Sequence, residues 1–427
     1  MKVAVIGAGY VGLVTGTGLA SCGHDVSLVD IDARKVAMIN QAKAPFYEAG
    51  LEPLLQKSAG KNLGATVETN KAVTTADVVF ICVQTYCQDD GAIDLTHIKQ
   101  AVTDVGKTLK ATRSHPLVVI KSTVIPGTTE KVLIPLLEEN SGKKSGDDFG
   151  VAVNPEFLRE GQAVEDFFNP DRIVIGELDN DSGDILCQLY QDFHTPVLRT
   201  DLKTAEIIKY ASNVFLATKI SFINEIGNIC KKLGIDTYKV AQGMSLDSRI
   251  SPHFLSAGVG FGGSCLPKDT KALISAAREL GYQPHLLQSV IRVNEEQPLR
   301  LVEVVAKRVG ELSRRKIAVL GLAFKPGTDD MRDSPAIKIV NELLRLGALV
   351  TAYDPVAMDN ARGIFGEQIE YAATAEDAVL DAELILIVTE WSEFNNPALY
   401  RGKKVFYGRR LISPNQVNSG DCEGVCW

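Results

Sequence analysis

Apolar residues in this chain fall into short runs divided by segments with helical spacing. Lys2–Ile6 is a β run, and a turn of glycines follows it, Gly7-Ala8-Gly9-Tyr10-Val11-Gly12. Val11–Ala20 then reads as a helix of small residues, and Val26–Asp30 as a second strand. Val78–Val83 predicts a strand ending in Gln84-Thr85-Tyr86. Leu117–Ile120 predicts another ending in Lys121-Ser122-Thr123, with Pro126-Gly127 opening the next helix. The pattern recurs late. Lys316–Leu320 before Gly321, Val350–Asp354, and Leu384–Val388 after Ala382-Glu383 echo the first three strands. Between the copies, 202–233 carries no proline, and Lys231 and Lys232 precede Gly234, a good stop. It predicts one long helix, a spine or a dimer interface; two helices with an unmarked break are the alternative. The expected fold is therefore α/β: two Rossmann-like doubly wound domains, 1–199 and 301–427, joined by a central helical segment over 200–300.

The first turn carries chemistry. G-x-G-x-x-G stands between a strand and a helix, with Asp30 ending the next strand, 18 positions after Gly12. Gly7 permits the tight turn, Gly9 lets a pyrophosphate approach the backbone, and Gly12 lets the helix pack on the strand. Tyr10 and Val11 open a helix whose N–H groups favour an anion. Asp30 suits a ribose 2′-OH and repels a 2′-phosphate, which selects NAD over NADP. Thr85 and Thr123, at carboxyl ends of strands, are candidates to face the cofactor, or simple helix caps. The late copy lacks this fingerprint: Gly321-Leu322-Ala323-Phe324-Lys325 has bulky and basic residues where glycines would stand. It is expected to bind something phosphorylated, with Lys325, Arg332, Arg409 and Arg410 as phosphate candidates.

Three further clusters stand out. Gly258-Val-Gly-Phe-Gly-Gly-Ser-Cys-Leu-Pro-Lys-Asp269 is a glycine loop running into a helix whose first turn holds Pro267. Cys265 then stands before a helix N-terminus beside Lys268, and both favour the thiolate. It reads as a nucleophile, against an inert thiol beside a capping Asp269. Asn154-Pro-Glu-Phe-Leu-Arg-Glu160 predicts a helical turn with Glu156 and Glu160 on one face, or else solvated surface acids. Lys209 and Asn213, one turn apart on the long helix, could hold a developing oxyanion, although a helix lysine is usually solvated.

Composition narrows the rest. Of 427 residues, 45% are apolar and 23% charged, which excludes a disordered chain, and the net charge of -8 argues against a nucleic-acid surface. No run approaches the roughly 20 apolar residues of a membrane span, and the N-terminus has no signal-peptide pattern, so a cytoplasmic protein without a membrane partner is expected. The eight cysteines form no C-x-x-C pair, and most are expected to be buried thiols. The six histidines have no ligand spacing; neither a metal site nor a catalytic histidine is expected.

The glycine start, Ser122-Thr-Val124, Asn154–Glu160, Gly262–Asp269 and Phe324-Lys325 with Arg332 together resemble the UDP-glucose/GDP-mannose dehydrogenase family, in order and over essentially the whole chain. The resemblance implies an NAD-dependent enzyme that oxidises C6 of a nucleotide sugar twice, to the carboxylate. It implies Cys265 as nucleophile toward the C6 aldehyde, passing through a thiohemiacetal and a thioester. Lys209 and Asn213 would steady the C6 oxygen, Asp269 with Thr123 would position water, and Glu156 would be the acid/base. Glu160, Lys35, Lys268 and Arg332 would lie against the cofactor. Phe157, Leu158, Arg159, Phe254, Leu255, Gly258, Gly262, Lys325 and Arg409 would line the substrate pocket. Arg249 would come from a neighbouring subunit of a homodimer built on the long helix.

Asp247-Ser-Arg-Ile250 and Phe254–Phe261 look like the UDP-glucose branch, as do Tyr353–Met358 and Val388–Trp391. Asn140–Lys144, Gly176–Leu178 and the tail Glu423–Trp427 look like the GDP-mannose branch. The pocket loop carries more weight because it would touch the base, so oxidation of UDP-glucose to UDP-glucuronate is the leading expectation and GDP-mannose the alternative. A non-catalytic sensor of NAD or nucleotide sugar is the reading from another class. Two departures are Thr85-Tyr86-Cys87, where the family has Thr-Pro, and Ser256, where many UDP-glucose enzymes carry Lys.

Overall fold

A computed structural model describes residues 1–88, 90–411 and 422–427. The chain packs as two compact units, Met1–Ser212 and Asn213–Trp427.

The first unit is built on ten strands: β1 (Lys2–Ile6), β2 (Asp25–Val29), β3 (Leu63–Thr66), β4 (Val78–Ile81), the short hairpin β5 (Tyr86–Cys87) and β6 (Ile93–Asp94), β7 (Leu117–Ile120), β8 (Gly150–Val153), β9 (Ile173–Glu177) and β10 (Val197–Asp201). Eight of them form one sheet in the order β10-β9-β8-β7-β4-β1-β2-β3. Its pairs are parallel except β8 with β9. Strands β4, β7 and β8 are buried on both faces, as unbroken apolar runs require in a parallel sheet covered by helices.

The second unit has β11 (Lys316–Leu320), β12 (Leu349–Tyr353), β13 (Glu370–Tyr371), β14 (Leu384–Ile387), β15 (Lys404–Tyr407) and β16 (Cys422–Gly424), ordered β13-β12-β11-β14-β15-β16 and all parallel. Both sheets follow the doubly wound 3-2-1-4-5-6 order, so the late echo in the sequence is a true structural repeat. The likeness extends to the switch-point turns. Gly7 (φ 98°) backs onto Cys82, and Gly321 (φ 90°) onto Thr389, so closely that a Cβ at either would meet backbone at 3.0 Å or less. Only glycine fits both the conformation and the gap.

The long helix is continuous over Leu202–Leu233. Its buried side is polar at intervals of a turn or two: Glu206, Lys209, Asn213, Ser221 and Asn224 are all under 9% exposed. Glu206, held above the ordinary carboxylate range by burial, accepts from Gly127 N (2.5 Å), Thr129 N (3.0 Å) and Thr129 Oγ1 (2.6 Å). It thereby caps the helical stretch that begins at Thr129, two residues after the predicted start.

One expected element is absent. Asn154–Arg159 has no helical turn, because the Glu156 carboxylate turns back to accept from Leu158 N at 2.6 Å, a local bond that competes with helix. Glu156 and Glu160 therefore share no helix face. The cysteines also differ from expectation. Only Cys82, Cys230 and Cys426 are buried, while Cys22, Cys87, Cys187, Cys265 and Cys422 are half-buried, and all eight are free thiols. Of the five half-buried thiols, Cys87 and Cys422 lie in short strands, Cys187 in the Asn180–Leu189 helix, and Cys22 and Cys265 at helix ends, outside the long apolar strands that form the core.

Asp354 shows how far the two copies have diverged. Asp30 remains half-buried, but Asp354 is wholly buried and accepts from Leu322 N, Ala323 N, Val356 N, Ala357 N and Trp391 Nε1. No lone pair is left for a ribose. Asp354→Ala should destabilise the protein by about 3 kcal/mol or more by orphaning these donors, against a far smaller loss for Asp32→Ala, which removes one exposed helix cap. Urea unfolding of the two variants measures the difference.

Candidate active site

The fingerprint turn of the first unit fits a dinucleotide. The Tyr10–Ser21 helix starts at Gly9 with no side-chain cap and no acid in its first turn, so its leading N–H groups and positive end are presented outward. A Cβ on Gly9 would meet nothing within 4 Å, whereas Gly12 lies hard against the Gly7 carbonyl. Asp30 accepts from Ala8 N (3.0 Å) and Asp32 N (2.9 Å), and Lys35 stands 3.9 Å away. The acid is thus held at the turn by two bonds and stays accessible. Val11 is half-buried behind it. Thr85 is buried, and its hydroxyl donates to Thr123 O at 3.0 Å. Thr85 therefore fixes the loop, and Thr123, half-buried, keeps its own hydroxyl at the strand end.

Tyr10 opens the helix as expected, and its side chain is engaged within the first unit. Its hydroxyl donates to Glu48 and accepts from Gly161 N at 2.8 Å, while Glu48 also takes Gly161 N (2.6 Å) and Ala163 N (2.7 Å). Burial, then the Glu48 bond, drives the phenol far above its usual range. This latch ties the fingerprint helix to the turn at Glu160, itself half-buried. Glu48 carried no sequence signal, since it lies in a loop 38 positions from Tyr10.

Lys209 is buried, not solvated. Its Nζ lies 2.7 Å from Glu156 Oε1, with the two side chains 5% and 7% exposed. Phe157 packs beside it, 5.5 Å from the ammonium and 3.8 Å beneath the Arg172 guanidinium. Leu158 packs on the core, and Arg159 is exposed and forked onto Asp166. Beneath this pair is a lysine the sequence did not mark. Lys121 Nζ donates to Asn154 Oδ1 at 2.8 Å, which also accepts from Tyr190 OH at 2.8 Å, and Asn154 Nδ2 donates to Val174 O at 2.9 Å. Lys121 thus joins the strand end before Thr123 to the loop before Glu156. Burial pulls its ammonium down to about 8, opposed by Cys82 and Glu156 and aided by Lys209. Burial likewise pushes the Cys82 thiol up to about 12.

In the second unit, Cys265 is the cap residue of the Leu266–Glu279 helix, with Pro267 in the first turn as expected. Its carbonyl accepts from Asp269 N at 2.8 Å, and its Sγ is 3.5 Å from Ser264 Oγ. Asp269 is 1% exposed; it accepts from Asn213 Nδ2 and from Lys268 Nζ, each at 2.6 Å. The thiol, the amide, the acid and the ammonium therefore meet at one helix start. Gly263 N donates to Arg332 O at 2.8 Å, and Arg332 forks onto Asp330. Gly262 lies against the Asp333 carbonyl, and Lys325 Nζ is 5.5 Å from the Phe324 ring. Phe254 takes a left-handed φ of 64° and is part-exposed, while Leu255 is core. Gly258 backs on the Gly408 carbonyl. Arg409 donates to Gly260 O at 2.6 Å and pairs with Glu390. Arg410 is not a free phosphate ligand: it forks onto Asp236 between the Tyr238 and Trp427 rings. Arg249, 87% exposed, is forked onto its neighbour Asp247. Among the described residues, no group of His, Cys, Asp and Glu is arranged to hold a metal ion.

These turns and clusters are those of a nicotinamide-dependent oxidoreductase, with a cysteine at the start of a helix. Comparison with known proteins gives its family. Three domain models match in order: the NAD-binding domain of the UDP-glucose/GDP-mannose dehydrogenase family at residues 1–194, its central domain at 203–296 and its UDP-binding domain at 318–414. The UDP-glucose 6-dehydrogenase of Haloferax volcanii is 45% identical over 97% of both chains. A GDP-mannose 6-dehydrogenase of Pseudomonas putida is 39% identical over the whole of both. The structure of a UDP-glucose dehydrogenase from Pyrobaculum islandicum matches with a TM-score of 0.95 at 41% identity, covering 100% of this chain and 97% of that one. The chain belongs to the UDP-glucose/GDP-mannose dehydrogenase family, and NAD is its cofactor.

Lys121 supplies a pH test. Between about pH 8 and its ordinary 10.5, the unfolded chain holds a proton that the folded chain has released. Wild-type stability relative to Lys121→Met should therefore rise with pH through that window, by roughly 3 kcal/mol across it. Urea unfolding of both proteins at the two ends checks it; a flat or falling difference contradicts it.

Proposed function

We propose that this protein is a UDP-glucose 6-dehydrogenase that converts UDP-glucose to UDP-glucuronate in two NAD-dependent oxidations at C6. The observation that carries the reading is the cluster at the Leu266–Glu279 helix start, where Cys265 precedes a buried Asp269 bonded to Asn213. A sensor of NAD or nucleotide sugar has no use for a thiol there, nor for a desolvated Lys209–Glu156 pair.

NAD, when bound, takes up one hydride in each oxidation. The first-unit turn would hold it through the N–H groups after Gly9 and through Asp30, with Lys35, Glu160, Lys268 and Arg332 alongside. Cys265 Sγ, as thiolate, adds to the C6 aldehyde and forms a C–S bond, so the reactive carbonyl cannot leave between oxidations. The negative charge that develops on the C6 oxygen is met by the Lys209 ammonium and the Asn213 amide. After the second oxidation C6 is held as a thioester. Water positioned by Asp269 and Thr123 adds to C6, the C–S bond breaks, and the carboxylate and the Cys265 thiolate are released. Glu156, hydrogen-bonded to Lys209, takes one proton from the attacking water, and the second leaves to solvent. Phe157, Leu158, Arg159, Phe254, Leu255, Gly258, Gly262, Lys325 and Arg409 are the residues we assign to nucleotide-sugar binding. UDP-glucose is supported by that loop and by the nearer relatives. GDP-mannose is the second reading, supported by the Glu423–Trp427 tail.

The protein acts as a homodimer through the exposed side of the long helix, on which Phe215, Phe222, Ile229 and Leu233 are 47–66% exposed. In the dimer Arg249 serves the neighbouring subunit's site. Eight free thiols and the use of NAD support action in the cytoplasm.

Wild-type enzyme should form two NADH per UDP-glucose and turn over GDP-mannose far more slowly, read from the absorbance of the NADH formed. Cys265→Ser should lower UDP-glucuronate formation by about 10³-fold or more, with NAD affinity unchanged by calorimetry. An undiminished rate removes the covalent step. Phe222→Glu should shift the protein from dimer to monomer in sedimentation, with activity falling in step as Arg249 is withdrawn.

A further inference from the structure

The backbone of the loop that leads to Cys265 is held by side chains rather than by secondary structure. Tyr238 OH donates to Ala257 O (2.9 Å), and Gln297 Nε2 to Gly258 O (2.8 Å). Asn224 Oδ1 accepts from Gly258 N (2.8 Å), and Asn294 bonds both N (2.7 Å) and O (2.9 Å) of Phe261. Two of these clamps, Tyr238 and Gln297, are themselves supported by the segment Glu423–Trp427.

The contacts are specific. The Trp427 ring meets Tyr238 edge-on, centroids 5.1 Å apart at 88°. The Arg410 guanidinium lies 4.3 Å from the Tyr238 ring and 4.7 Å from the Trp427 ring, anchored by Asp236, and Arg410 N donates to Tyr238 OH at 3.1 Å. Gln297 Nε2 also reaches Cys426 Sγ at 3.5 Å. Cys426 fills the gap over Gly227 inside the long helix, where a Cβ would lie 2.7 Å from Cys426 Sγ and 3.2 Å from Ala257 Cβ. The segment is firmly seated. Its strand β16 pairs with β15, Lys231 donates to Gly424 O (2.9 Å) and Trp427 O (2.7 Å), and Thr237 Oγ1 donates to Cys426 O (2.5 Å). An exposed tail would need none of this.

We propose that Glu423–Trp427 is a strap that sets the position of the Ala257–Phe261 loop, and that Trp427 is a positioning residue for nucleotide-sugar binding, acting through Tyr238. The inference rests on the reading of that loop as the nucleotide-sugar pocket. Trp427 adds an aromatic edge to Tyr238 and a second ring for Arg410; without it the Tyr238 ring loses one wall of its seat, and its bond to Ala257 O weakens. Because the strap bears on the substrate loop and not on the fingerprint turn, its loss should separate the two affinities.

The test is steady-state kinetics with UDP binding by calorimetry on wild type, Trp427→Ala, Trp427→Phe and Tyr238→Phe. In Trp427→Ala the KM for UDP-glucose and the Kd for UDP should rise about five- to tenfold, with KM for NAD and kcat within about twofold. Trp427→Phe, which keeps an aromatic edge, should restore most of the loss. Tyr238→Phe, which deletes only the hydroxyl, should raise the UDP-glucose KM by about two- to fivefold and decides the matter if Trp427→Ala does not fold. Unchanged UDP affinity in Trp427→Ala or, failing that, in Tyr238→Phe overturns the strap, as does a parallel loss of NAD and UDP affinity. Failure of wild type itself to bind UDP overturns instead the pocket reading beneath it.

Discussion

A cation taken out of water must be paired, and this requirement governs the long helix. Lys209 is 4% exposed, and Glu156 stands 2.7 Å away to pair its charge. One turn later Asn213 is committed to Asp269, and one turn earlier Glu206 is committed to the amides of Gly127 and Thr129. A helix whose buried side carries so many polar groups gives up hydrophobic stabilisation that leucines would supply. What it gains is a set of charged and amide groups locked at fixed positions, already desolvated before any substrate arrives. That preorganisation is what stabilising charge on a reacting oxygen requires.

The two Rossmann units show one architecture put to two uses. Each has the same strand order, a glycine at positive φ after its first strand, and an acid after its second. In the first, the acid keeps part of its surface open beside a helix start without a capping side chain. In the second, five donors surround Asp354, one of them the Trp391 indole, and the turn is filled from within. The repeat thus preserved the scaffold while the second copy lost the means to hold an adenosine ribose. Its contribution lies elsewhere, in Arg409 and the β15–β16 edge that support the glycine loop.

The loop that leads to Cys265 has many glycines and no regular structure, yet it is closely held. Its order comes from long-range side chains: Asn224 from the long helix, Tyr238 from the next, Asn294 and Gln297 from the His285–Val309 helix, and Arg409 from the turn after β15. Each satisfies a backbone group that burial would otherwise leave unpaired. The same holds in the first unit, where Lys121 and Tyr190 converge on Asn154 to brace the loop before Glu156.

The amino-acid order by itself determined the elements and their chemistry. Alternation and run length located β1, β7 and β11 to the residue, spacing placed the long helix at Leu202–Leu233, and glycines and Asp30 marked the cofactor turn. These are local properties, decided within a few residues by backbone sterics and side-chain period. The tertiary structure alone decided partnership. Lys209 and Glu156 are 53 positions apart, and Asn213 and Asp269 are 56. No periodicity links such residues; burial brings them together, and the cost of an unpaired polar group in a dry interior selects the match. That is why Tyr10, Arg410 and Thr85 spend their polar groups on the protein itself, while at Asn154–Arg159 a local bond from Leu158 N to Glu156 displaces the helical turn that Pro155 and the acids suggested.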